Sequence, residues 1–491
     1  MSEERNSYRQ IIKATSLFGG VQIFTIIISI IRSKFIAVLL GPLGIGVMGL
    51  FNTTINLIYS ITNFGLATSA VKDVAKVNEE GNENRISVIV KVLRRLVWIT
   101  GLVGAFFTFL FSSFLSKLTF GNTDYTNAFL WLSITLLFNQ LSSGERVLLQ
   151  GLRKLSFLAK SSLLGSILGL LLVIPLYYIY GVNGIVPGMI ITSLISLVLT
   201  WFYSNKIKIK DVKVSLTETI IKGKSMVIMG FMISLSSMFT MGVGYLIRIF
   251  INNIGGVEQV GLFTAGFAII NTYVGLVFSA MGTDYYPRLS SIAHDNYLLK
   301  KAVNQQAEIS LLILAPILIG FLVFIKWVVV LLYSTKFLEV NPMIYWAALG
   351  MFFKAASWSI AFIFLAKGES KLFFWNELVT NVYLLLFNII GYYYWGLEGL
   401  GVSFTITYIL YLVQVFIIAK IKYNFLFTKN FSKIFIIQIL LALVSFISVK
   451  LFSEIQTYII GSILILISAW YSFKELDKRI DIKSLLKNFK K

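Results

Sequence analysis

The sequence predicts an all-α polytopic membrane protein with 14 transmembrane helices. Of its 491 residues, 57% are apolar and only 13% are charged, whereas an average soluble domain has about 45–50% apolar and about 25% charged residues. Apolar runs of roughly 18 or more residues recur along the chain, and each is long enough to cross a bilayer core of about 30 Å as a helix. This composition and pattern exclude a soluble globular fold.

The spans follow one another with short connections. They are centred near residues 27, 57, 100, 137, 168, 194, 238, 271, 320, 353, 384, 410, 441 and 464. The first apolar stretch, residues 14–40, is too long for the apolar region of a signal peptide, so we expect it to remain as the first helix. The longest external connection lies around residues 121–125, so function is expected inside the helix bundle.

Basic residues are concentrated in alternate connections. Of the 43 Lys and Arg residues, 35 lie on one side, three lie on the other and five lie within spans. We call the first of these the basic side. By the positive-inside rule it is cytoplasmic and holds both termini. The net charge of +21 then indicates topology and contact with lipid headgroups, and no nucleic-acid partner is expected.

The chain contains an internal repeat. Most matches are 215 positions apart: Gly41 and Gly46 recur as Gly256 and Gly261, Asn56 recurs as Asn271, and the turn at 180–184 recurs at 395–399. Residues 151–154 match 368–371 at an offset of 217. Because each copy contains an even number of helices, we expect two parallel six-helix lobes around a central cleft, related by an axis along the membrane normal.

Four segments follow from the repeat. The N-terminal lobe covers residues 1–215 and the C-terminal lobe residues 216–425. Two additional transmembrane helices occupy 426–475, and 476–491 form a basic amphipathic cytoplasmic tail. The chain has no Cys and one His. We therefore expect no metal, no cofactor, no catalytic residue and no enzyme activity.

Three short motifs resemble a known family. They are Leu-Gly-Pro-Leu-Gly-Ile-Gly at 40–46, the segment 63–72 and the segment 151–154. Together they resemble the polysaccharide-exporter branch (Wzx-type O-antigen flippases) of the multidrug/oligosaccharidyl-lipid/polysaccharide exporter superfamily, over roughly residues 10–425. The resemblance implies a flippase of the bacterial inner membrane that moves an undecaprenyl-diphosphate-linked oligosaccharide to the periplasmic leaflet by alternating access. It also implies a polysaccharide polymerase and chain-length machinery as partners.

Lys354 lies near the middle of its predicted span, where a charge needs a partner, a water-filled cavity or a ligand. Gly350 and Trp358 lie one turn away on the same helix face. One interpretation is that this face lines the cleft, where the ammonium binds an anion and the indole stacks on a sugar. The alternative is a structural pair with an acid elsewhere in the chain.

The first helices of the two lobes together carry three further cations. Arg32 and Lys34 precede Gly41, and Arg248 precedes Gly256 at a similar depth. In the resembled superfamily these helices face the cleft, which implies a shared cationic site for the substrate diphosphate. Snorkelling of the long side chains toward the membrane surface is the alternative.

Polar residues inside the spans are candidates for sugar contact. The second span carries a stripe of Asn and Tyr residues at helical spacing, which interhelical hydrogen bonding explains equally well. The sugar-contact candidates are Asn52, Asn56, Asn63, Asn271, Trp358 and Asn381. The candidates for gating or ion coupling, which could also be packing pairs, are Asp73, Glu145 (beside Arg146), Asp284 and Glu377.

Three classes of function remain. A lipid-linked oligosaccharide flippase accounts for the cationic, amide-rich spans, with a lipid II-type flippase as a variant because of the two additional helices. A cationic-drug antiporter of the same superfamily would need acids at mid-membrane depth, where this chain has bases. A membrane glycan polymerase or ligase would need a large periplasmic loop with catalytic residues.

Overall fold

A computed structural model describes the backbone of residues 2–480, with side chains from residue 24 to residue 479 except at 232, 233, 236, 273, 280 and 283. Within this range the chain is helical and has no β-strand. The α-helices are α1 (Ser2–Thr62), α2 (Leu66–Glu79), α3 (Glu83–Leu110), α4 (Ser112–Phe120), α5 (Thr126–Gly151), α6 (Leu155–Tyr180), α7 (Ile185–Ser204), α8 (Leu216–Ala268), α9 (Leu276–Ser291), α10 (Asn296–Leu332), α11 (Asn341–Ala366), α12 (Ser370–Tyr423), α13 (Lys429–Leu451) and α14 (Glu454–Ile480). Short 3₁₀ helices cover Gly181–Gly184 and Thr335–Val340, and a π-helix covers Ile269–Val274.

The prediction of an all-α polytopic membrane protein is confirmed. Eight segments of the described chain are long and apolar enough to cross a membrane, or nine if the bent pair of α3 and α4 counts as one span. Four of the eight, such as Ser370–Tyr423, hold two predicted spans each. The predicted span near residue 137 is α5, a complete helix that is not among these segments. The chain is a multi-pass membrane protein.

The described chain divides into two compact units, the first ending at Gly261 and the second beginning at Leu262. In the first unit, α5 packs against α3 and α7, while α1 packs against α6. In the second, α11 packs against α10 and α12, and α10 also contacts α13 and α14. The lobe boundaries at 215 and 425 describe the duplication, and they stay a prediction. Of the predicted tail, residues 476–480 continue α14, and the remainder lies outside the described residues.

Glycines at equivalent positions break the long helices. Gly41 interrupts α1 with φ 64° and ψ −166°, and Gly256 interrupts α8 with φ 80° and ψ 176°. Gly181 after α6 has φ 55° and ψ −133°, and Gly396 within α12 has φ 54° and ψ −137°. Only glycine adopts such positive φ values without strain. Each pair is 215 positions apart, so the backbone supports the repeat found in the sequence.

The third match of the repeat differs from the prediction by two positions. After α5, Arg153 has φ 55°, and after α11, Gly368 has φ 72°. The amide of Lys154 donates to the Leu149 carbonyl, as that of Glu369 donates to Phe364. Both are the six-to-one hydrogen bonds of a Schellman helix end. The equivalent residues are therefore again 215 apart, and the offset of 217 was wrong.

Two of the repeated glycines form a reciprocal contact within the first unit. A Cβ atom at Gly46 would collide with the Val257 carbonyl, and one at Gly261 would collide with the Pro42 carbonyl. Residues 42 and 257 are themselves equivalent in the repeat, so the two contacts are related as by a local two-fold axis. Small residues let helix backbones approach this closely in membranes.

Ion pairs hold the connection between the repeats and the additional helix α14 against neighbouring helices. Between the repeats, Asp211 accepts a hydrogen bond from Lys91 of α3 at 2.7 Å, which lowers the pKa of Asp211. At the start of α14, Glu454 pairs with Lys326 of α10. At the other end of α14, Arg479 pairs with Glu308 of α10 at 2.8 Å. Both ends of α14 are therefore held against the same neighbouring helix.

The glycine contact gives a stability prediction. Gly261→Ala should lower the free energy of unfolding by about 1–3 kcal/mol, because a backbone carbonyl cannot move aside as a side chain can. Gly320→Ala is the matched control, since a Cβ at Gly320 meets no atom within 4 Å. Better helix propensity should make that control neutral or slightly stabilising. Thermal unfolding of the purified variants in detergent measures both, and equal unfolding temperatures would contradict the contact.

Candidate functional site

Lys354 is held by an amide and two aromatic rings in the second unit. Its Nζ donates a hydrogen bond to Asn271 Oδ1 at 2.9 Å. The ammonium also lies 5.0 Å from the ring centroid of Tyr408 and 5.7 Å from that of Phe404, both in α12. These distances are within the range of cation–π attraction. Asn271 belongs to the π-helix before α9, a type of irregularity found often at functional sites.

The described contacts of Lys354 do not include an acid. Among the described residues, no carboxylate lies within ion-pair distance of its half-buried side chain. The structure therefore disfavours the alternative of a structural pair with an acid. Gly350 lets neighbouring helices approach closely, because a Cβ atom at this position would lie 2.7 Å from the Phe404 ring. This close approach brings α11 against the part of α12 that carries both rings.

Trp358 is one turn from Lys354 and packs in an aromatic cluster. Its ring centroid is 5.4 Å from Phe278, 5.6 Å from Tyr285 and 4.8 Å from Phe362. Tyr285 is fully buried, and its hydroxyl donates to the Ser359 carbonyl at 2.7 Å. The indole therefore has aromatic packing partners of its own, and its contact with a sugar stays a prediction.

A second polar group lies where the two halves of α12 face each other. The Tyr411 hydroxyl donates to Glu377 Oε1 at 2.7 Å. Gln414 Nε2 donates to Asn376 Oδ1 at 2.7 Å, next to the same tyrosine. Within the described chain no basic side chain lies within ion-pair distance of Glu377. Its carboxyl group is thus hydrogen bonded and has no opposing cation.

The Lys354 and Glu377 groups adjoin through aromatic rings. The ring centroids of Tyr408 and Tyr411 are 6.3 Å apart. At the repeat offset of 215, Lys354 corresponds to Asn139 and Glu377 to Ser162. This lysine and this glutamate therefore have no charged counterparts in the first repeat. Sequence analysis did not identify Phe404, Tyr408 or Asn376, although the helical spacing of the two rings after Gly396 was a usable signal.

The three cations predicted to bind diphosphate lie in the first unit. Arg32 lies near the buried Tyr177 side chain of α6 and interacts with it electrostatically. Arg248 Nη1 donates to the Gly244 carbonyl of its own helix at 3.0 Å. Lys34 is half-buried. These contacts do not test whether the two arginines share a ligand, so the diphosphate clamp stays a prediction.

The polar stripe of α1 is divided by the structure. Asn52 and Asn56 are exposed, as expected for groups that contact a ligand or lipid. Asn63 is buried, and its Oδ1 accepts a hydrogen bond from the Gly65 amide where the helix turns into α2. Asn381 is also buried, and its Nδ2 donates to the Glu377 carbonyl at 2.8 Å. The last two amides therefore have structural contacts besides any role in sugar binding.

Glu145 is paired differently from the sequence interpretation. It accepts two hydrogen bonds from Arg94 of α3, at 2.9 and 3.0 Å, whereas Arg146 donates to Ser196 Oγ at 2.6 Å. Adjacent residues on a helix point in different directions, so Glu145 and Arg146 do not face each other. The bidentate geometry and the burial of Glu145 indicate a packing pair.

The two remaining gate candidates lie in the middle of the short helices α2 and α9. Partial burial raises the pKa of Asp73 in α2, although Lys72 and Lys76 act in the opposite direction. Asp284 is 82% exposed and lies 3.4 Å from Arg288, one turn along α9. The described residues contain no group of three His, Asp or Glu side chains that could hold a metal ion.

The family described as "Polysaccharide biosynthesis protein" matches residues 35–342. No curated protein sequence matches the chain significantly. A solved structure titled "Lipid II flippase MurJ, inward closed conformation" is similar with a TM-score of 0.72 and 14% identity, covering 94% of this chain and 99% of that one. An inward-facing multidrug resistance MATE transporter of the MOP superfamily has a TM-score of 0.69 and 14% identity, covering 82% and 94%.

A third similar structure is a MOP superfamily transporter from Pyrococcus furiosus, whose title reports reversed polarity of its binding pocket. Its TM-score is 0.59 at 13% identity, covering 84% of this chain and 96% of that one. At such low identities these similarities establish the fold and not the substrate.

The contrast between the paired and unpaired charges gives a second prediction. Arg94→Ala leaves the buried Glu145 without its cation and should cost about 3–5 kcal/mol of stability. Lys354→Met should stay within about 1 kcal/mol of the wild type, because loss of the Asn271 hydrogen bond is offset by removal of a half-buried charge. Thermal unfolding of both variants checks this. A large destabilisation by Lys354→Met would show that Lys354 is structural.

Proposed function

The chain belongs to the polysaccharide biosynthesis protein family, and from this premise we propose that it is a flippase for an undecaprenyl-diphosphate-linked oligosaccharide. It would carry this substrate from the cytoplasmic to the periplasmic leaflet of a bacterial inner membrane by alternating access. Its family and fold are those of membrane transporters, and no enzymatic step is part of the proposal. The expected partners are membrane lipids, a polysaccharide polymerase and chain-length machinery.

The observation that carries this proposal is the environment of Lys354. An ammonium group has three N–H donors, and one is used by Asn271. The Tyr408 and Phe404 rings stabilise the charge without neutralising it. An anionic group can therefore bind here without displacing a protein carboxylate. Aromatic rings beside the cation supply flat apolar surfaces of the kind on which sugar rings stack.

The nature of the charges separates the alternatives. A lipid II-type flippase would use the same cationic site for a similar diphosphate, and the similarity to the MurJ structure supports keeping it as the second candidate. A cationic-drug antiporter would need acidic residues to attract its substrate, but here the amide and the rings surround a lysine. Arg32 and Arg248, both in the first unit, are proposed to bind the substrate diphosphate.

Glu377 is the proposed ion-coupling residue. Its carboxyl group lies in a polar cluster with Tyr411, Asn376 and Gln414, and no cation among the described residues fixes its charge. Such a carboxyl group can gain and lose a proton as its surroundings change during a transport cycle. Tyr408, whose ring lies next to that of Tyr411, also contacts Lys354, and this proximity supports the proposal that the two residues act in one transport cycle.

The third prediction tests the anion site by transport. Lys354→Met should reduce flipping of a fluorescent undecaprenyl-diphosphate oligosaccharide at least tenfold in proteoliposomes, because the anion loses its cationic partner. Lys354→Arg should retain part of the activity, since it keeps the charge. Lys326→Met is the charge-matched control, because Lys326 pairs with Glu454 outside the site. Wild-type flipping by Lys354→Met would remove this residue from the mechanism.

The same assay distinguishes the two flippase candidates. Purified lipid II and an undecaprenyl-diphosphate-linked oligosaccharide of the surface-polysaccharide type are supplied in parallel to the wild-type protein. Preferential flipping of the second supports the proposal, and preferential flipping of lipid II replaces it with the alternative. Export of a cationic dye with no flipping of either lipid would contradict both.

The fourth prediction concerns coupling. Glu377→Gln mimics the protonated carboxyl group, so flipping should become independent of an imposed pH gradient while the protein stays folded. The control is Glu398→Gln, which removes a carboxylate that already pairs with Lys450 at 2.8 Å. Flipping rates are compared with and without a gradient of one to two pH units across the vesicle membrane. A Glu377→Gln variant with unchanged gradient dependence would exclude this residue as the coupling site.

A further inference from the structure

A large basic cavity lies in the second unit, apart from the Lys354 and Glu377 groups. Its volume is about 970 Å³, and its walls come from the ends of α9, α10, α13 and α14. The cavity brings together three connections that the charge pattern assigned to the basic side: 288–301, 420–433 and the segment from 474 onward. It therefore opens at the predicted cytoplasmic ends of these helices.

The acids of the cavity are already paired. Six basic and two acidic side chains line it, a net charge of +4. Glu308 binds Arg479 at 2.8 Å, and Glu475 binds both Arg479 and Lys478 at 2.7 Å. Arg288 also has partners, because it donates to Gln306 at 3.0 Å and lies near Asp284. No acid that lines the cavity is left to neutralise another cation.

Three lysines remain without an acidic partner within residues 2–480: Lys300, Lys301 and Lys433. Gathering like charges at one cavity is unfavourable unless an anion occupies it. A second observation also indicates a ligand. Tyr471 lines the cavity, and its hydroxyl is buried without a hydrogen-bond partner in the described chain. A phosphate oxygen would accept hydrogen bonds from this hydroxyl and from the lysines.

Exposed faces of α13 and α14 lead away from the cavity, and each carries large apolar or aromatic side chains. On α13, Ile436 and Leu440 lie on the face of Lys433 and are 55% and 54% exposed. On α14, Lys478, Lys474 and Trp470 lie on one face at intervals of four residues. The Trp470 ring centroid is 4.9 Å from the Lys474 ammonium. Trp470 is 63% exposed, as is typical of a residue at the membrane surface. The acyl chains of a lipid could lie along these helix faces while its headgroup occupied the cavity.

We propose that this cavity binds the phosphate headgroup of an anionic membrane phospholipid. Lys300, Lys301 and Lys433 neutralise the phosphodiester, and the Tyr471 hydroxyl donates a hydrogen bond to it. The lipid bridges α10, α13 and α14, and so holds the additional helices to the rest of the unit. Basic recesses between helices on the cytoplasmic side are suited to such headgroups. This site is independent of the proposed transport of an oligosaccharide.

Lipid binding to the full-length protein tests the proposal. Titration of the detergent-purified protein with phosphatidylglycerol or phosphatidylcholine, followed by native mass spectrometry, should show at least tenfold tighter binding of phosphatidylglycerol. The Lys300→Gln/Lys301→Gln/Lys433→Gln variant should lose at least tenfold of that affinity. The charge-matched linker control is Lys208→Gln/Lys213→Gln/Lys224→Gln, three exposed lysines between α7 and the first turns of α8, and its affinity should stay within about twofold of the wild type.

A single substitution provides a second test in case the triple variant misfolds. Tyr471→Phe removes only the unpartnered hydroxyl and should weaken phosphatidylglycerol binding severalfold without lowering the unfolding temperature of the lipid-free protein. Equal losses in the triple variant and the linker control would overturn the proposal in favour of general surface attraction. Inorganic phosphate or glycerol phosphate that competes at the same concentration as the lipid would show a site for a soluble anion instead. Unchanged affinity in both cavity variants would also overturn the proposal.

Discussion

The architecture depends on one constraint: within a bilayer, backbone N–H and C=O groups must bond to each other, because no water reaches them. Helices satisfy this requirement along nearly the whole described chain. The exceptions are concentrated at glycines such as Gly41 and Gly256, where a positive φ bends a long helix into two segments. At Gly46 and Gly261 the absence of a side chain has a second use, because it lets two of these segments touch backbone to backbone. Helix breaks and close packing therefore come from the same residue type.

The repeat preserves the backbone but not the chemistry. The turn at Gly181 and the break at Gly396 share nearly the same dihedral angles, and both copies end a helix with the same Schellman hydrogen bonds. Yet Lys354 corresponds to Asn139 in the first copy. A duplicated scaffold needs only matching apolar faces and glycines, whereas a binding site for one substrate needs its charge in one place. We interpret this asymmetry as specialisation of the second repeat.

Charged side chains in this protein have two different kinds of surroundings. Some pair with each other, as in Arg94–Glu145, Lys326–Glu454 and Arg479–Glu308, and these pairs join different helices. Lys354 and Glu377 instead have amide, hydroxyl and aromatic neighbours. A charge with a fixed partner stabilises one arrangement, whereas a charge with neutral neighbours can respond to a ligand or a proton. This difference separates the structural residues from the proposed functional ones.

The sequence by itself determined the helices, the repeat and the glycines that break the long helices, because hydropathy and backbone freedom are properties of short segments. It also identified Lys354, Asn271 and Glu377 as unusual residues within spans. Only the tertiary structure decided their partners: Lys354 meets an amide 83 positions away instead of an acid, and Glu145 pairs with Arg94, 51 positions away, and not with the adjacent Arg146. Such partners depend on how each helix is rotated about its axis, and a rotation of one residue, about 100°, changes every neighbour. Nothing in the local pattern of a nearly uniformly apolar helix specifies that rotation.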